Sequence, residues 1–129
     1  MLYRGGNLKA SVITPDPGTE YFFAEGCFIT ELSNSIDDAQ LSIARARLEP
    51  GKTTRWHRLV ATAERYLILA GSGLVEIGEL PATPVAAGDV VLIPPLARQR
   101  ITNTGRVDLI FLALCSPPFR QENYQDLER

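Results

Sequence analysis

Short apolar runs, broken every few residues by glycine or proline, most constrain what this chain can fold into. They are YFFAEGCFITEL, LSIARARL, TTRWHRL, ERYLILA, LVEIG, DVVLI, QRITN and VDLIFLALC. Between them lie PGK, GSG, ELPATP, AGD, PPL and NTG, each able to reverse the chain for its own backbone reason. Turn signals at such close spacing predict an all-β sandwich or barrel. Gly71 and Gly73 flank a tight hairpin, where a positive φ is inexpensive only for glycine.

Length sets the domain count. A chain of 129 residues makes one domain and buries a core without disulfides or metals to staple it. Residues 1–20 are polar and contain Pro and Gly, and predict an irregular arm or an edge strand. Residues 21–116 hold the β domain. Residues 117–129 open on two prolines and then become helix-friendly, so a short C-terminal helix is expected near 121–127.

Several function classes are excluded or disfavoured. A net charge of −2 gives no electrostatic reason to bind nucleic acid or an anionic membrane. No apolar run is long enough to span a bilayer, and the first residues lack the apolar core of a secretory signal, so a cytoplasmic protein is expected. Cys27 and Cys115 match no zinc spacing and sit in strand-like surroundings, which makes them packing groups. There is no G-x-S-x-G, phosphate loop or dinucleotide fingerprint.

The middle of the chain carries a spaced pattern. Gly51, His57, Leu59, Glu64 and Gly71 are followed by Gly88, Pro94, Leu96, Gln99 and Asn103. The pattern resembles the paired motifs of the cupin superfamily, G-x5-H-x-H-x3,4-E-x6-G and G-x5-P-x-G-x2-H-x3-N, with every spacing kept. The resemblance implies a single-domain jelly-roll β-barrel. In metal-binding cupins the ligands are the two histidines and the glutamate of the first motif and the histidine of the second. Those positions are His57, Leu59, Glu64 and Gln99 here. Leucine offers no lone pair, and an amide oxygen is a neutral, weaker donor. The glycine of the second motif is replaced by Leu96.

Strand geometry gives an independent reading of the same residues. Side chains two apart share a face, so His57 goes with Leu59, Glu64 with Tyr66 and Ile68, and Gln99 with Ile101 and Asn103. In a barrel closed as a cupin closes, the three faces line one cavity. Buried polar groups there need partners, and three arrangements supply them. His57, Glu64 and Gln99 can hold a divalent metal (Zn, Mn, Fe or Ni), weakly for want of the second and third histidines. The same residues can instead bind a small polar molecule, with Glu64 orienting His57. Or they can form a closed polar network with no ligand.

Arginines favour the second arrangement. Arg47 and Arg55, with Gln99, are candidate ligand-binding residues for an organic acid or a phosphorylated sugar, although Arg45 and Arg47 can equally occupy a solvated or subunit-facing side. Two functions follow. One is a module that binds a small polar ligand in the barrel. The other is a metal-dependent cupin enzyme of dioxygenase, isomerase or lyase type, with His57, Glu64 and Tyr66 as catalytic groups. The resemblance also implies a homodimer, to which the apolar 21–32 run would contribute.

Overall fold

The structure, a computed structural model, describes residues 8–128. The part of the expected N-terminal arm that precedes residue 8 lies outside the described residues. Among the described residues eleven strands follow one another: β1 (Tyr21–Phe22), β2 (Phe28–Ser33), β3 (Ser42–Leu48), β4 (His57–Leu59), β5 (Ala63–Ala70), β6 (Ser72–Ile77), β7 (Thr83–Ala86), β8 (Val90–Ile93), β9 (Gln99–Asn103), β10 (Leu109–Ser116) and β11 (Tyr124–Asp126). Single 3-10 turns occur at Pro17–Thr19 and Gln121–Asn123.

The strands form two antiparallel sheets. The six-stranded sheet runs β1-β2-β3-β10-β5-β8 and the five-stranded sheet β11-β4-β9-β6-β7. Their inner faces follow from alternation. Glu64, Tyr66 and Ile68 are buried on β5 while Arg65 and Leu67 are not, and Gln99, Ile101 and Asn103 are buried on β9. Ile68, Ile101, Leu48 and Leu109 close the core between the sheets. This is the expected all-β barrel.

Two segments differ from the sequence expectation. ELPATP is a turn only at its start, where the Leu80 N–H returns to the Ile77 carbonyl at 3.0 Å; its end belongs to β7, where Pro84 is tolerated because β7 is the outermost strand of its sheet, and an edge strand can do without a donor. The C-terminal segment forms one 3-10 turn rather than a regular helix, and then pairs as β11 with β4, Tyr124 opposite Leu59 and Asp126 opposite His57. Strand pairing satisfies the backbone groups that a helix would have satisfied internally. Among the described residues no helix is long and apolar enough to cross a membrane.

The motif positions have backbone and packing roles. Gly71 has φ +86°, and a Cβ there would stand 2.8 Å from the Asp108 carbonyl oxygen. Asn103 is buried, donates to the carbonyls of Leu48 (2.9 Å) and Val107 (2.8 Å), and accepts from the Gly105 N–H (2.9 Å). It therefore ties β9 to the end of β3 and to the turn before β10.

Leu96 shows a departure with a cost. Its φ is +69°, the region an L-residue occupies at a penalty. Ala97 N–H returns to the Pro94 carbonyl at 3.3 Å, and Leu96 N–H donates to the Leu59 carbonyl at 2.9 Å. The turn thus keeps the shape a glycine would give it.

The side chain of Leu96 is 55% exposed, so its removal forfeits little packing. Leu96→Gly should therefore stabilise the protein by about 0.5–1 kcal/mol, the relief of the left-handed penalty less the extra unfolded-state freedom of glycine. Urea unfolding of the two proteins measures the difference. A loss of stability would mean that Leu96 contributes packing its exposure does not suggest.

Candidate functional site

Strands of both sheets bring polar side chains into the apolar interior. Gln99 on β9 lies opposite His57 on β4, and Glu64 on β5 lies opposite Cys115 on β10. Gln99 donates from Nε2 to Glu64 Oε1 at 2.9 Å, and its Oε1 accepts from the Tyr66 hydroxyl at 2.5 Å. The Cys115 thiol lies 3.7 Å from Glu64 Oε2. Gln99 is 1% exposed and Tyr66 4%, so both ends of the amide are committed to protein partners.

His57 belongs to a second group. Its Nδ1 lies 2.7 Å from the Arg55 carbonyl, and its Nε2 lies 3.1 Å from Glu25 Oε2. A carbonyl only accepts, so Nδ1 carries a hydrogen. A carboxylate also only accepts, so the contact is satisfied by a further proton between Nε2 and Glu25. Tyr124 of β11 stacks on the imidazole, ring centroids 5.2 Å apart.

Sequence reasoning missed Glu25 and Tyr124. Glu25 sits in the turn that interrupts the 21–32 run. Gly26, with φ +110°, permits that turn, and the Glu25 carbonyl accepts from Arg55 N–H at 2.7 Å. An acid next to glycine inside an otherwise apolar run was the available signal.

Between the sheets lies a cavity of about 40 Å³, lined by both groups and by apolar side chains. A volume of that kind holds a few waters or the end of a small molecule. His57, Leu59, Glu25 and Glu64 are in its wall. Gln99 and Tyr66 are not in the lining. They stand behind Glu64 and fix its orientation, so Tyr66 positions the amide rather than facing a ligand.

The expected arginines lie elsewhere. On β3 the buried face is Ser42, Ala46 and Leu48, which sends Arg45 and Arg47 to the opposite side. Arg47 pairs there with Glu20 (2.8 Å) and Asp108 (3.3 Å) and lies over the Phe28 ring. Arg55 pairs with Asp126 at 2.9 Å. Neither lines the cavity, because each has a carboxylate nearer to hand. Arg98 and Arg100 point away from Gln99, as alternation requires, and cover the Trp56 ring at 4.6 and 4.3 Å.

Burial dominates the electrostatics. It pushes the Glu64 carboxyl up to about 7, with the charge of Glu25 acting in the same direction and the Gln99 hydrogen bond and His57 opposing. Burial likewise raises the thiols of Cys27 and Cys115 and the phenol of Tyr66. The cysteines are therefore unsuited to act as nucleophiles.

The residues do not fit a metal centre. A metal at the family position would need the Gln99 oxygen, which already accepts from Tyr66, and the Glu64 oxygen that accepts from Gln99. Leu59, 3% exposed, fills the place of another ligand with hydrocarbon. Among the described residues no cluster of three His, Cys, Asp or Glu side chains is disposed to hold an ion.

Comparison with known proteins places this geometry in context. Residues 44–115 match the cupin domain family. The chain is 33% identical over 110 residues to the uncharacterized protein MJ1618 of Methanocaldococcus jannaschii, covering 84% of this chain and 87% of that protein. It is 37% identical over 71 residues to an oxalate-binding protein of Thermotoga maritima, 55% of this chain and 58% of the relative. The structure of Pac13, a nucleoside dehydratase, superposes with a TM-score of 0.73 at 17% identity, over 91% of this chain and 92% of that one. At that identity the likeness is one of fold.

The Glu64 environment makes stability depend on pH. Its carboxyl titrates near 4.5 unperturbed and near 7 in the fold, so the folded protein holds a proton that the unfolded chain has released. The group's contribution is full below pH about 4.5 and is lost as pH rises through about 7, by roughly 3 kcal/mol. Glu64→Gln keeps an oxygen for the Gln99 N–H and removes the titration. Denaturant unfolding from pH 5 to 8 should show the variant gaining on the parent as pH rises. Parallel profiles would show that Glu64 is not the group responsible.

Proposed function

The chain belongs to the cupin family, and we propose that it binds a small polar organic molecule in the barrel cavity without a resident metal. The observation that supports this most directly is a mostly apolar cavity whose wall carries a few polar side chains, among them His57, Glu25, Glu31 and Glu64. Such a cavity, mostly hydrocarbon with few convergent polar groups, is what small-molecule sites share. Gln99 contributes by holding Glu64 in place, and the family's metal position is taken up by the hydrogen bonds among Tyr66, Gln99 and Glu64.

A second reading is supported by the state of Glu64. A carboxyl titrating near 7, sharing a cavity with the His57–Glu25 pair, suits proton transfer. Under that reading Glu64 is the acid and the His57–Glu25 pair the base, acting on a bound organic substrate as a lyase or isomerase would. A thermal-shift screen of small polar metabolites finds the ligand, and product analysis on each hit separates binding from turnover.

The protein is further proposed to pair with a second copy. Cross-strand neighbours share a face, and the outer side of the six-stranded sheet carries Leu92 beside Arg65, Val90 beside Leu67, and Leu67 beside Leu112. Val90 and Leu92 are 59% and 68% exposed. An apolar sheet face of this kind gains by being covered. Cys27 and Cys115 are buried free thiols, which suits the reducing cytoplasm.

Two measurements check these proposals. Calorimetric titration with zinc should show weak or no binding by the native protein, and Leu59→His with Gln99→His should raise affinity more than tenfold, about 1.4 kcal/mol. Native affinity equal to that of the double variant would restore the metal reading. Light scattering at micromolar concentration should give a dimer that Leu92→Glu dissociates, and a monomeric parent removes the pairing.

A further inference from the structure

The cavity wall has a charge and a composition that define a ligand class. Tyr21, Phe23, Phe119 and Tyr124 form its aromatic side. Phe23 meets Tyr124 and Phe119 edge-to-face, with centroids 5.0 and 6.0 Å apart. Glu25, Glu31 and Glu64 supply its carboxyl groups. Among the described residues no lysine or arginine is in the lining. The two arginines of β3 that could have reversed this balance are turned to the outer face and held there by Glu20.

One further feature points to a missing occupant. The Tyr124 hydroxyl is buried and has no hydrogen-bond partner among the described residues, and its side chain is in the cavity wall. A buried hydroxyl left unpaired is costly, and native structures rarely carry one without a ligand or a water. Glu31, at the exposed end, meets the Tyr21 hydroxyl at 3.4 Å and has no cationic partner among the described residues.

We propose that the cavity takes a small organic ammonium ion, received by the aromatic wall and the carboxyl groups of Glu25, Glu31 and Glu64, and that it rejects small carboxylates such as oxalate. The inference rests on the proposed binding function and specifies its ligand. Aromatic faces attract cations through the ring quadrupole, and a desolvated organic cation gains most from them. Carboxyl groups beside the rings reinforce the attraction. Carboxylates on the wall repel an oxalate dianion, and Glu64 adds to the repulsion as pH rises through about 7. Among the described residues the wall offers that anion only His57, already facing Glu25.

Calorimetric titration with choline, its neutral isostere 3,3-dimethylbutan-1-ol, and oxalate tests the class. Choline should bind at least tenfold more tightly than the isostere, and oxalate should not bind. Glu31→Gln removes a charge at an exposed position while leaving an oxygen for the Tyr21 hydroxyl. It should weaken choline about fivefold and leave the isostere unchanged, a change of the size a cation's electrostatic partner confers. Phe119→Leu should weaken choline while keeping the wall apolar. Equal or tighter binding of the isostere or of oxalate overturns the ammonium assignment and leaves the binding function standing. If none of the three binds, the assignment also falls, and the metabolite screen then decides separately whether the cavity binds anything.

Discussion

A carboxyl group placed inside an apolar barrel has to be accommodated, and much of the site follows from how Glu64 is. Little of it reaches solvent, and its oxygens are met by the Gln99 amide and the Cys115 thiol. An amide used in this way has a carbonyl left over, and that carbonyl needs a donor. Tyr66, two residues along the same face of β5, provides it. The chain ends at a phenol because a hydroxyl can donate once and be finished. Each member is conditional on the one before it, which makes the network expensive to enter by a single substitution.

Accommodation of that carboxyl also divides the site into two. Glu64, Gln99 and Tyr66 close on one another, leaving only one edge of Glu64 facing the cavity. His57 turns to Glu25 and to the Arg55 backbone. In an arrangement built around an ion, the imidazole and the carboxylate would share one centre. Here Leu59 separates their roles by occupying the space with hydrocarbon. The loss of one ligand and the conversion of another are thus structurally linked: the amide at 99 is turned to Glu64 and Tyr66 rather than to an ion.

The barrel was legible because alternation and turn spacing are local. Glu64, Tyr66, Gln99 and Asn103 take the inward positions that a period of two assigns them, and Gly71 occupies a turn that only glycine fits without strain. The misses are of a different kind. Pro84 in β7 and the strand at Tyr124–Asp126 depend on which strand lies at an edge and which edge is free, a matter of tertiary pairing. Arg47 shared a face with Arg45 as read, but the sign of that face could not be known without β10 beside it. Glu25 lay outside any spacing pattern, and reaches His57 only because a turn at Gly26 folds back over the barrel.

The strand at the C-terminus has one more consequence. The family match ends at residue 115 and begins at 44, whereas Tyr21, Phe23, Glu25, Glu31, Phe119 and Tyr124 all fall outside those limits and all line the cavity. The shared span supplies scaffold and polar floor, and the flanks supply the rest of the wall. Side chains of the flanks can change without disturbing the backbone ladder in which β2 pairs with β3 and β11 with β4. Likeness confined to the common span transfers architecture without transferring the residues of the flanking wall, and so without transferring a ligand.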